Sequence, residues 1–177
     1  MLTCNPTIKV EKCSFVRIRS FIENNINSFY NNEHMDFIKD CFWKNKNRNH
    51  FNNSKKNIAV QIRRENEHDR GMAGERASTP NSYYLHVMNV IRNNNVDKEL
   101  LFHIYSQGNL SQFIDLANED VVFHLNQDIS DTFVGMVAAD SLVISPSSFS
   151  YVAALLSDGE VYYKPFWHNP KEHWKII

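Results

Sequence analysis

No stretch of this chain approaches the roughly 18 apolar residues a membrane span needs. The opening Met1–Pro6 has no apolar run either, so no secretory leader is expected and a cytoplasmic location is favoured. Cysteine is scarce and confined to the first quarter: Cys4, Cys13 and Cys41. An odd count without Cys-x-x-Cys signals neither a disulfide framework nor a zinc site. An excess of one charge is missing too, the net charge being -1, which removes the electrostatic case for nucleic acid as a partner. The glycine patterns that would announce other chemistries are also absent. No Gly-x-Gly-x-x-Gly follows the first strand, Gly71 and Gly74 are wrongly placed, and there is neither a phosphate-loop lysine motif nor a Gly-x-Ser-x-Gly turn. The eight histidines are scattered, and Pro170 separates His168 from His173, so no helical metal pair forms and no metal is expected.

What is present is an ordinary globular composition, 42% hydrophobic and 22% charged over 177 residues, enough for a real core. Two segments with helical spacing open the chain, from Phe15 to Phe29 and from His34 to Trp43. A polar, basic stretch, Lys44 to Lys56, reads as a solvated linker. The boundary set there divides the chain into a helical segment, 1–54, and an α/β domain, 55–177. In the second part strands and helices alternate. Strands are expected at 58–62, 100–105, 121–123, 142–144 and 161–163. Helices are expected from Pro80 to Ile91, at 110–116, at 129–139 and at 147–156. Such alternation implies a parallel sheet flanked by helices, with ligands beyond the carboxyl ends of its strands.

The residues after each strand are therefore the candidates. Arg63 and Arg64 close the first strand, and a guanidinium that stays charged and forks onto phosphate oxygens suits a diphosphate clamp. A salt bridge to Glu65 or Glu67 is the alternative, weighed evenly for Arg64. Ser106 and Gln107 begin the turn after the second strand, and His124 and Asn126 follow the third, where a base or ribose could be met. After the fourth strand, Ser147 or Ser148 should cap a helix whose free N–H groups and dipole favour an anion.

Three stretches together resemble the α1,2/α1,6/O-fucosyltransferase superfamily. Val60-Gln61-Ile62-Arg63-Arg64 resembles its His-x-Arg-Arg-Gly-Asp signature, Leu101 to Ser106 sits where it has a second strand, and Asp140 to Ser150 resembles its Ala-Asp, strand, Ser-Ser-x-Ser motif. The resemblance covers roughly Asn57 to the end. It implies the nucleotide-sugar-binding carboxy-terminal lobe of a two-lobed GT-B glycosyltransferase, and inverting transfer of fucose or a similar sugar without a metal. GDP-fucose would be the donor and a glycan hydroxyl the acceptor. It implies further that Arg63 contacts the diphosphate and takes part in catalysis, that Ser147 and Ser148 line the phosphate site, and that Asp140 supports or contacts the nucleotide. Glu75, five residues before Pro80, would be the base for the acceptor hydroxyl, against a plain loop carboxylate paired with Arg70 or Arg76. Gln61 replaces the signature His and Glu65-Asn66 replaces Gly-Asp, so the donor sugar stays open. About fifty residues precede the first motif, so a second chain supplying the first lobe is one expectation. A non-catalytic nucleotide-sugar-binding relative is the competing one.

Overall fold

The computed structural model describes residues 25, 28, 32–64 and 79–177. Apart from residues 25 and 28, the expected helix from Phe15 to Phe29 lies outside them, and so does Glu75. Among the described residues are four α-helices and six strands: α1 Asn32–Trp43, β1 Lys56–Gln61, α2 Asn81–Asn93, β2 Leu100–Ser106, β3 Val121–Leu125, α3 Ile129–Ala138, β4 Ser141–Val143, α4 Ser148–Leu156, β5 Glu160–Tyr163 and β6 Lys175–Ile176. The strands form one sheet in the order β3-β2-β1-β4-β5-β6, and every pairing is parallel. The α/β class read from the sequence is what is observed. None of the described helices is long and apolar enough to cross a membrane.

Alternation along β1 explains why the sheet is central. Ile58, Val60 and Ile62 point to one face and Ala59 to the other, all fully or almost fully buried. On the first face lies α2, whose Tyr84, Val87, Met88 and Ile91 recur at i, i+3, i+4 and i+7 and are inaccessible to solvent. Burying each aliphatic side chain of that stripe contributes about 1.5–3 kcal/mol, so Ile91→Ala would cost about 2–5 kcal/mol. On the second face Ala59, Leu142, Val161 and Tyr163 meet Met136 and Val137 of α3 and Ala153 and Leu156 of α4. Met35 and Trp43 of α1 join the same cluster.

Two expected elements differ. Residues 110–116 form two three-residue 3-10 turns instead of a short helix. Asn109 and Gln112 exchange side-chain and backbone bonds there, and Gly108, at φ 113°, turns the chain sharply just before. The short β6, unexpected from the sequence, adds an outer edge beside β5.

Candidate functional site

Strand order reverses between β1 and β4, since β1 leads outward to β2 and β4 leads the other way to β5. At such a switch point the chains leaving the two strands diverge and open a crevice at the carboxyl ends. A cavity of about 260 Å³ lies there. Arg63 and Gln107 come to it from the ends of β1 and β2, Thr132 from the first turn of α3, and Ser147 and Phe149 from the start of α4.

Side chains fasten the strand tips together. The Ser106 hydroxyl donates to the Ile62 carbonyl at 2.8 Å, joining β2 to the end of β1. The buried Ser145 hydroxyl donates to Oε1 of Gln61, joining β4 to β1. Ser150 Oγ stands 3.0 Å from the Ser145 carbonyl and 3.1 Å from that of Ser147, which ties the first turn of α4 to the chain that enters it. Ser147 itself caps α4, accepting from the Phe149 amide at 3.2 Å. One serine caps the helix, as N-capping requires, and the amino end of α4 borders the cleft.

Arg63, Ser106, Gln107 and Ser147 are thus brought together. Arg64 also lines the cleft, but its guanidinium donates to the Thr79 carbonyl at 3.2 Å and to Asn81 Oδ1, and lies 4.8 Å over the Phe113 ring. It anchors the start of α2. Ser148 turns to His168, with 2.9 Å between Oγ and Nε2.

Three other candidates lie elsewhere. Asn126, itself at φ 57°, clamps Gly108 by a reciprocal pair of 2.9 Å bonds, amide to carbonyl and carbonyl to amide. Its side chain shapes the turn and is not part of the cleft lining. His124 lies on β3 in register with Tyr105, stacked on that ring at 4.7 Å and bonded to His103 at 2.9 Å. Desolvation, and then the charge of His50, lower its pKa. Asp140 requires a correction: it precedes β4 and so belongs to the amino ends of the strands, the opposite edge of the sheet. Its carboxylate accepts from the Asn57 amide at 2.7 Å, and Asn57 begins the buried part of β1. A residue before a parallel strand cannot reach what lies beyond the strand's far end.

Missed by the sequence reading were Ile62, Tyr105, Gln127, Ile129, Thr132 and Phe149, all on the cleft wall, where Gln61, the replacement for the signature His, also lies. The signal for three of them was Asp128, which caps α3 by accepting from the Ser130 amide at 2.7 Å and so marks a second helix start at the same end. Tyr105 is 1% exposed and its hydroxyl has no partner, and burial raises its pKa well above the ordinary phenol value. No group of three or more His, Cys, Asp and Glu side chains among the described residues is arranged to hold a metal ion. Comparison with protein-family models, with curated proteins and with solved structures found no match to this chain.

Proposed function

We propose that this chain binds the diphosphate of a nucleotide sugar in the cleft between β1 and β4 and transfers the sugar, fucose or a similar hexose, to a glycan hydroxyl. The observation that carries the reading is that Arg63 and the Ser147-capped amino end of α4 border one cavity at the switch point of a parallel sheet. The resemblance of the Arg63 and Ser147 stretches to fucosyltransferase motifs points the same way.

Magnitudes limit what these two groups can hold. A charge-assisted hydrogen bond contributes about 1.5–3 kcal/mol and the helix end about 0.3–1 kcal/mol. Together that is about 2–4 kcal/mol, no better than roughly millimolar affinity. Free pyrophosphate should therefore bind weakly, with base and sugar supplying the rest. The cavity, about 260 Å³, lies at the small end of ligand sites and suits the phosphates rather than a whole donor.

A second reading, binding without transfer, is favoured by one feature: no carboxylate or imidazole is among the described residues lining the cleft. A panel of nucleotide sugars in a thermal-shift assay tests binding. At a hundredfold excess over Kd a true donor adds about 2.7 kcal/mol, a rise of roughly 5–10 °C. Arg63→Ala should remove it, and a panel without any shift would refute the reading. Transfer assays on Glu75→Gln then separate the two: intact binding with lost turnover assigns Glu75 as the base.

A further inference from the structure

One side chain beyond the cleft stands an imidazole that the sequence pattern dismissed as scattered. Ser148 opens α4 between Ser147 and Phe149, both of which line the cleft. Its exposed hydroxyl is 2.9 Å from Nε2 of His168. His168 is carried on the chain leaving the carboxyl end of β5, on the same side of the sheet as the cleft. Two buried tyrosines fix it there. Its ring stacks on Tyr151 with centroids 4.5 Å apart and planes at 24°. Tyr163 donates to the His168 carbonyl at 2.5 Å, and Tyr151 donates to the Asn169 carbonyl at 2.7 Å. The Phe166 amide donates back to the Tyr163 hydroxyl at 3.1 Å.

A hydroxyl bonded to an imidazole that is itself held in orientation is the arrangement by which enzymes move a proton away from a reacting oxygen. Resting on the nucleotide-sugar reading, we infer that Ser148 and His168 form the proton relay of the transfer. Ser148 Oγ takes the proton of the acceptor hydroxyl while passing its own to His168 Nε2. The acceptor oxygen uses the electron pair of its O–H bond to join the anomeric carbon. The bond from that carbon to the diphosphate breaks, and its pair leaves on the diphosphate oxygen. His168 ends as an imidazolium and returns the proton to solvent. Histidine suits the role because a neutral imidazole keeps one ring nitrogen that accepts a proton. Aromatic groups surround the ring: Tyr151 from α4, and Phe166 and Trp167 from its own loop. Trp167 is partly exposed, with its ring 6.1 Å from that of His168.

The test compares the parent chain with His168→Gln, Ser148→Ala and Glu75→Gln, reading sugar transfer against pH and donor affinity by calorimetry. Relay predicts a parent kcat that falls in acid, because a protonated imidazole can no longer accept the proton. His168→Gln should lose that limb and about 10²–10⁴ in kcat while keeping donor Kd within about twofold, which also proves the variant folded. Ser148→Ala should fall between the two. The inference is overturned if His168→Gln keeps the parent's kcat and pH limb, if Glu75→Gln alone abolishes turnover, or if the parent binds donor without transferring. A parent that binds no donor removes the underlying reading, and the relay with it.

Discussion

His103 is 5% exposed and neutral, and its bonds define its tautomer. Asn57 Oδ1 accepts from Asn53 Nδ2 at 3.0 Å and stands 3.1 Å from His103 Nε2, so the His103 proton sits on Nε2. Nδ1 then carries the lone pair that receives His124 Nε2–H at 2.9 Å. A second proton on His103 would set two donors face to face. Burial, reinforced by the charges of His124 and His50, holds its pKa down to about 4 from 6.5. At 1.36 kcal/mol per unit, that depression is about 3 kcal/mol of stability. The unfolded chain binds this proton between about pH 6.5 and 4 and the folded chain does not. The contribution is therefore full above 6.5, declines as pH falls and is gone below about 4. His103→Gln preserves an amide able to donate to Asn57 and accept from His124, but cannot titrate. Urea unfolding of both chains at pH 7 and pH 4 should give the parent about 3 kcal/mol more acid loss, roughly a hundredfold in the folded-to-unfolded ratio. Equal losses in the two chains would refute the reasoning.

Other outcomes follow from the same geometry. Arg64→Ala should lower stability by about 1–3 kcal/mol in urea melts, by stripping the bonds at the start of α2, with a smaller effect on donor affinity than Arg63→Ala. Gly135→Ala would place a methyl 2.1 Å from the Tyr105 hydroxyl, and should cost about 1–3 kcal/mol in the same assay. Tyr105→Phe, which removes a buried hydroxyl with no partner, should be neutral or stabilising and should recover part of that loss. Glu160 is held at a pKa of about 2, chiefly by the Lys175 hydrogen bond and then by Lys56. Its stabilising effect is present above the ordinary 4.5 and fades as pH falls through about 2, and Lys175→Met should move its NMR-detected titration upward.

Much of the fold could be read locally. The run from Ile58 to Ile62 was apolar enough to be a central strand, and Tyr84, Val87, Met88 and Ile91 marked one helix face. The pair Ser147-Ser148 announced the cap of α4, which Ser147 supplies, because capping is a property of adjacent residues. What escaped was non-local or too short for periodicity. Two residues, Lys175 and Ile176, hold no pattern, so β6 was invisible. Leu110, Phe113 and Ile114 imitate a helical stripe, yet the glycine turn and the Asn109–Gln112 exchange break it into 3-10 turns. At the site, the strand-end rule placed Arg63, Arg64, Ser106, Gln107 and Ser147 on the cleft wall and failed for His124 and Asn126, while Asp140, which rested on the motif resemblance, stands at the opposite ends of the strands. The His103–His124 pair joins residues 21 apart in the chain through strand register, which the sequence does not spell out.

The hydroxyls and amide that fasten the tips of β1, β2 and β4 to one another have a thermodynamic corollary. A cavity floor laced in this way is finished when the sheet assembles, so on the proposed reading a phosphate would meet a floor with little chain left to order. Pyrophosphate association should accordingly show a heat-capacity change near zero, and severing one stitch, Ser145→Ala, should weaken binding through a floor that has begun to wander.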